Sequence, residues 1–268
     1  MRDRAIEEWP DALERVCAHL RHVRTVRVLR ETGSTQDAAM AIEGADGVLV
    51  TTGRQTAGRG RLGAAWADTL EAGVACTCRV AAQAAERLAI AAAVAVAEAC
   101  RDALPPERAQ RVGLKWPNDV LGACDDGALR KIAGVLVEVR DARAFIGVGV
   151  NALQRSFPAE LGDRAASLAQ LGGSIDRLAV IERLALRLDH ALSMSDDALA
   201  SRFHALDRTV GLRLRFQTAA GPVEGEVLRC DPARGLEVQV ADGTMWLEAA
   251  TTRVEPGFWS SRSTMSDR

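Results

Sequence analysis

Between Gln83 and Leu104 the chain is almost wholly alanine, valine, leucine and isoleucine, with charge confined to Glu86, Arg87, Glu98, Arg101 and Asp102. Residues of this kind favour helix, and a helix that is apolar on nearly every side has no stable place at a surface. It must be buried on most sides and packed closely against a sheet, and Pro105-Pro106 ends it. The 268 residues exceed one typical domain and point to one large domain plus a small one. Hydrophobic residues at 48% and charged ones at 26% describe a globular protein. A net charge of -2 gives no overall attraction to nucleic acid, so any basic function is local. No apolar run reaches the roughly 18 residues of a membrane span, and Met1 to Glu8 holds no signal-peptide core, so the expected compartment is the cytoplasm.

Elements follow from periodicity. Ala5, Ile6, Trp9, Leu13, Val16, Cys17 and Leu20 stand at helical spacing over residues 2 to 22, with Pro10 shortening or kinking the start. Val23 to Leu29 alternates as a strand, and Ser34 or Thr35 caps a helix through Ala38 to Ile42. Strands are expected at Val48 to Thr52, Ala72 to Val80 and Val112 to Trp116, the last halted by Pro117. Leu129 to Val139 and Ala144 to Asn151 form a hairpin about a turn at Asp141-Ala142-Arg143. Helices are expected over about 176 to 194 and 196 to 208. From Val210 the texture changes to short strands at Leu212 to Phe216, Gly225 to Leu228, Gly235 to Val240 and Met245 to Leu247, a small all-β domain of barrel type. The expected organisation is therefore 1–209, 210–256 and a frayed polar tail over 257–268.

Three stretches carry chemistry. Thr51 to Trp66 places three arginines, Arg54, Arg59 and Arg61, among four glycines between an apolar strand and one tryptophan. Glycines let backbone approach a ligand closely and guanidiniums fork onto carboxylate or phosphate oxygens, so this is an anion-holding loop or else a flexible basic surface loop. Lys115-Trp116-Pro117-Asn118-Asp119 leaves polar side chains just past a strand end, where ligand-facing residues collect. In the hairpin, Gly147 and Gly149 at two-residue spacing open one face to something lying against the backbone, while Lys131 opens one strand and Asn151 closes the other. The six cysteines are scattered without a CxxC pair and read as reduced, structural thiols; His19 and His22 read as a solvated face.

Together, Ser34-Thr35-Gln36, Gln55-Thr56-Ala57-Gly58-Arg59-Gly60-Arg61 with Trp66, Lys115 to Asp119, Lys131-Ile132-Ala133-Gly134 and Gly147-Val148-Gly149-Val150-Asn151 resemble, in order and spacing, the biotin protein ligases. The resemblance spans roughly 25 to 255. It implies an α+β fold, a mixed sheet flanked by helices of class II aminoacyl-tRNA-synthetase type, with a C-terminal SH3-like β-barrel. It implies two-step chemistry: biotin and ATP, with Mg²⁺, give biotinyl-5′-AMP and pyrophosphate, and a lysine of a biotin carboxyl carrier domain of a biotin-dependent carboxylase then takes the biotin. Carried over by position, Ser34, Thr35, Gln36, Gln55, Gly58, Arg59, Trp66, Lys131, Gly134, Gly147 and Gly149 would hold biotin. Arg59, Arg61, Trp66, Asn118, Lys131 and Asn151 would hold the nucleotide, and Lys131, Arg59, Arg61 and Asp119 would serve catalysis. Asn118 and Asp119 suit either a metal contact or acceptance of the incoming lysine's proton.

The sequence departs from the family pattern at Ala64, where many relatives carry another arginine, and at Leu153, often an asparagine. Residues 1 to 24 are too short for a winged helix, so the ligase-only class is expected, with no DNA or membrane partner and the monomer or homodimer question open. The alternatives are a lipoate or octanoate ligase or transferase of the same fold, whose usual arginine- and glycine-rich motif is absent, and a non-catalytic nucleotide- or nucleic-acid-binding module. Absence of tyrosine and a near-neutral pI oppose the latter. The glycine-arginine loop is expected to act as a lid that orders on ligand.

Overall fold

The computed structural model describes residues 3–66, 72–162, 164–231, 234–249 and 251–255. Its elements in chain order are α1 (Trp9–Cys17), β1 (Thr25–Thr32), α2 (Thr35–Ala41), β2 (Val48–Gln55), β3 (Gly58–Arg59), β4 (Ala65–Trp66), β5 (Gly73–Ala81), α3 (Ala85–Asp102), α4 (Pro106–Ala109), β6 (Val112–Lys115), β7 (Asp119–Ala123), β8 (Leu129–Arg140) and β9 (Arg143–Asn151). They continue with α5 (Arg177–Ser193), α6 (Asp196–Leu206), β10 (Arg213–Thr218), β11 (Gly221–Asp231), β12 (Gly235–Val240), β13 (Gly243–Leu247) and β14 (Arg253–Val254). The tail expected over 257–268 lies outside the described residues.

Seven strands form the main sheet in the order β1-β2-β5-β9-β8-β7-β6. Only β1 and β2 run parallel; every other neighbouring pair is antiparallel. Helix α3 is the buried scaffold its composition demands: Leu88 and Ile90 to Cys100 are all inaccessible, including Glu98, whose carboxylate takes Arg187 and Arg202. It packs on β6, β7, β8 and β9 and against α5, while α1 joins the same layer on β1. Cys76, Cys78, Ile146 and Val148 face this layer with Leu184 and Leu188. On the opposite face the short α2 is held by Ala39 against Val50 and Phe145, and the glycine-bearing part of β8 and β9 lies beside it.

Helix α1 is shorter than its periodicity because Pro10 sits at its first turn; Ile6–Glu8 forms a separate 3₁₀ turn ahead of it. Ser34 caps α2, its Oγ accepting from Gln36 N at 3.2 Å, and Asp176 and Ser195 cap α5 and α6 in the same manner. Helix α6 stops at Leu206 because Asp207 turns its carboxylate back onto the N–H groups of Thr209 and Val210. The C-terminal strands make one antiparallel sheet in the order β13-β12-β11-β10-β14. Its apolar residues, including Leu214, Phe216, Val227, Leu236 and Val238, are continuous with the main core. No described helix is long and apolar enough to cross a membrane.

Candidate active site

The β8–β9 register sets Gly134 opposite Gly149 and Leu136 opposite Gly147, with Ala75 and Thr77 of β5 beyond them. Side chains are thereby missing from a patch of sheet, and three side chains lie in the space. A Cβ at Gly147 would stand 2.7 Å from Gln36 Oε1, one at Gly149 2.4 Å from Trp66 Cε2, and one at Gly134 2.9 Å from Lys131 Nζ. The glycines are needed for this close approach, and the cavity above them holds about 410 Å³, within the range of small-molecule sites.

One end of the cavity is polar and uncharged. Gln55 Oε1 accepts from Thr35 N at 2.9 Å and Thr35 Oγ1 at 3.1 Å. Thr77 Oγ1 lies 2.9 Å from both Thr35 Oγ1 and Gln36 Oε1, and Gln36 Nε2 donates to Phe145 O. All four residues are buried, so their geometry is fixed by mutual hydrogen bonds. Thr77 was not among the expected site residues. Its signal is parity alone: it alternates with Cys76 and Cys78, which face the core.

The other end is charged. Strands β6 and β7 form a hairpin about Trp116-Pro117-Asn118, with a cis Trp116–Pro117 peptide, so that Lys115 and Asp119 are directly opposed. Asp119 Oδ2 is 3.4 Å from Lys115 Nζ, and Oδ1 is 2.5 Å from Lys131 Nζ. Lys131 reaches this position through a bulge. Asp119 pairs with Gly134 and Val120 with Ala133, but Leu121 pairs with Lys131, so Ile132 is the extra residue and turns into the core. A regular strand would send Lys131, three residues from Gly134, to the other face. Lys131 Nζ also lies 5.5 Å from the Trp66 ring centre.

Burial alone would raise the Asp119 carboxyl, but Lys131 and Lys115 outweigh it and hold it below the usual range. Burial lowers the Lys115 ammonium, against the attraction of Asp119. Arg61 is lowered by burial too; its Nη1 donates to Asn118 Oδ1 at 3.1 Å and its Nη2 to Ala249 O, while Asn118 Nδ2 donates to Val135 O. Arg59 lines the rim and pairs outward, bidentate to Asp37 at 2.7 and 2.8 Å and to Glu138 at 3.5 Å. In this state its guanidinium is engaged by α2 and β8 carboxylates, not turned into the cavity.

Two expected site residues do not line the cavity. Gly58 pairs with Trp66, and a Cβ there would meet Gln55 Nε2 at 2.4 Å, so its smallness lets the β3–β4 hairpin lie against Gln55. Asn151 is buried, and its Nδ2 donates to Lys131 O and Ala166 O. It braces the bulged backbone that carries Lys131. Lys115, present in a motif but given no role there, also lines the cavity, as does a wall from the C-terminal segment that no motif marks: Gln217, Thr252, Arg253, Val254 and Glu255. Five basic side chains line the cavity against two acidic ones among the described residues. That excess suits a polyanion.

No cluster of three His, Cys, Asp or Glu that could hold a metal occurs among the described residues. Both Asp119 oxygens are already on ammonium groups. The donor set fits a magnesium held chiefly by phosphate oxygens and not one caged by protein.

Residues 27–151 match the model of the Biotin/lipoate A/B protein ligase family. Over 213 residues the chain is 36% identical to the biotin--[acetyl-CoA-carboxylase] ligase of Mycobacterium tuberculosis, covering 74% of this chain and 76% of that protein. The chain belongs to the biotin protein ligase family. It is also 29% identical over 227 residues to the bifunctional ligase/repressor BirA of Bacillus subtilis, covering 81% of this chain and 69% of that one. In fold it is similar to the biotin protein ligase from Aquifex aeolicus in complex with biotin and ATP, with a TM-score of 0.75 and 24% identity over 86% of this chain and 98% of the other. These likenesses support the mixed sheet flanked by helices expected of a biotin protein ligase.

Proposed function

We propose that this cavity joins biotin to ATP as biotinyl-5′-AMP, with release of pyrophosphate, and then passes the biotinyl group to a lysine of a biotin carboxyl carrier domain. The observation that carries the reading is the polarity of one cavity: neutral hydrogen-bonding groups over a glycine floor at one end, and an excess of cations at the other. The neutral end suits a ureido ring, with Ser34, Thr35, Gln36 and Gln55 about it. The floor of Gly134, Gly147 and Gly149 suits the flat ring system, with Trp66 along the valeryl tail.

The reaction brings a carboxylate against a triphosphate, so like charges must be neutralised and held in line. Lys131, on the bulge, would reach both the carboxylate and the α-phosphate. Arg61 and Asn118 would contact the nucleotide, and Arg59 would join them by exchanging Asp37 for phosphate as the loop closes. Asn151 acts through Lys131, by holding its backbone. Magnesium, carried on the triphosphate, would neutralise part of its charge. The C-terminal sheet, read as a small SH3-like barrel domain from 210, closes one wall, and the main sheet is read as the class II synthetase-like catalytic domain.

Incubation of the purified chain with Mg-ATP and either biotin or lipoate tests this. Pyrophosphate release is expected with biotin, and mass spectrometry should find biotinyl-AMP bound. Release with lipoate and none with biotin would overturn it.

A further inference from the structure

We propose that Asp119 Oδ1 is an ammonium seat used in turn by Lys131 and by the incoming carrier lysine, and that Lys115 is the positioning residue that holds Asp119 in place during the exchange. This rests on the ligase reading of the same cavity.

The two lysines on Asp119 are not equivalent. Lys115 is opposed to Asp119 across a tight hairpin and is 16% exposed, whereas Lys131 arrives over the side-chain-free Gly134 and is 36% exposed. Lys115 is the fixed partner and Lys131 the movable one. If Lys131 moves onto the carboxylate and α-phosphate during adenylation, Oδ1 loses its closer partner. A buried carboxylate stripped of a cation takes up a proton or shifts, unless another cation stays with it. The other charges facing it are Lys115 from β6 and Arg61 from the lid, with Arg253 of β14 near Arg61. Of these, Lys115 alone is within ion-pair distance besides Lys131.

The vacated Oδ1 then offers a second ammonium the geometry that Lys131 has in the resting chain. The carrier lysine docks there and gives one proton to water, and its nitrogen lone pair forms the C–N bond to the carbonyl carbon of the mixed anhydride. The C–O bond to phosphate breaks, its electron pair leaves with AMP, and the second amine proton passes to water. Lys115 touches no reacting atom in this scheme.

The test measures the two half-reactions separately: biotin-dependent pyrophosphate release, and transfer from synthetic biotinyl-AMP to the carrier domain of an acetyl-CoA carboxylase. Lys115→Met should slow transfer on the order of 10²-fold, the scale of a misplaced reacting group, and far more than it slows adenylation. It should also move the acid limb of the transfer pH profile upward, because Asp119 then lacks its permanent cation. Lys115→Arg should restore the wild-type profile, and its folding controls for loss of structure in Lys115→Met. Equal losses in both half-reactions, no loss in either, or an unmoved acid limb would overturn the proposal. If the wild-type chain releases no pyrophosphate with biotin, the ligase reading fails instead.

Discussion

The Arg61 guanidinium ties the glycine-arginine loop both to the β6–β7 turn, at Asn118 Oδ1, and to the C-terminal segment, at Ala249 O. A charge-assisted hydrogen bond is worth about 1.5–3 kcal/mol, so losing one such tie corresponds to roughly 10- to 150-fold in a dissociation rate. Arg61→Gly is expected to speed escape of biotinyl-AMP by at least that lower factor, so that biotin appears on bystander lysines. An unchanged adenylate off-rate, followed after rapid dilution, would contradict the clasp. A second residue-scale expectation concerns the thiols. Burial pushes Cys17 up to about 11 and Cys76 and Cys100 up to about 12, and it raises Cys78 and Cys230 as well. The thiolate is the reactive form, so at pH 8 these five should resist iodoacetamide in the native chain, with Cys124 the site of any fast labelling. Rapid alkylation of Cys76 in folded protein, mapped by peptide mass spectrometry, would mean the core opens far more readily than its packing implies.

Elements show how far local pattern reaches. The small-residue run of α3, the parity of Gly147 and Gly149, and the change of texture after Val210 were legible because each is a periodicity, and periodicity decides which face is buried. The bulge at Ile132 was not legible. The motif Lys131-Ile132-Ala133-Gly134 places the lysine on the wrong face in any regular strand, and only the pairing of Lys131 with Arg164 and Ala166 on one side and Leu121 on the other turns it round. Lys115 stood in a motif but was given no role, because a lysine at a strand end is ordinarily solvated; its ion pair with Asp119 depends on how tightly the β6–β7 hairpin closes. The turn of the β8–β9 hairpin offers an element-scale prediction. Asp141 and Ala142 both take positive φ, 49° and 58°, as a two-residue turn of this hand requires, yet alanine lacks glycine's freedom there. Ala142→Gly should therefore raise stability by about 1 kcal/mol, the left-handed penalty for an L-residue, partly offset by the freer unfolded chain. Urea unfolding should show a higher midpoint at unchanged slope; a lower midpoint would mean the entropy term wins.

At the scale of the molecule, the cavity is finished by strands remote in sequence from every motif that pointed to it. No periodicity in β10 or β14 marks Gln217, Arg253 or Glu255 as cavity residues; they reach it because the C-terminal sheet is fastened to the catalytic one. Trp116 N donates to Thr209 Oγ1 at 3.1 Å, Leu114 bridges Asp207, and the apolar core runs from one sheet into the other without a break. Phe216 is the test of that continuity. It is fully buried in β10 and pairs with Val254, next to the cavity-lining Arg253. Phe216→Ala should cost about 3–5 kcal/mol by loss of burial and the cavity left behind. For a chain of this size that is on the order of 10 °C in melting temperature. If the two sheets share one core in fact as well as in contact, calorimetry of the variant will show a single transition displaced as a whole, and biotin with Mg-ATP will raise it as a whole. Two transitions, with only the lower one moved by the substitution and only the upper one raised by ligand, would show that the C-terminal sheet unfolds on its own and that its wall of the cavity is a separable part.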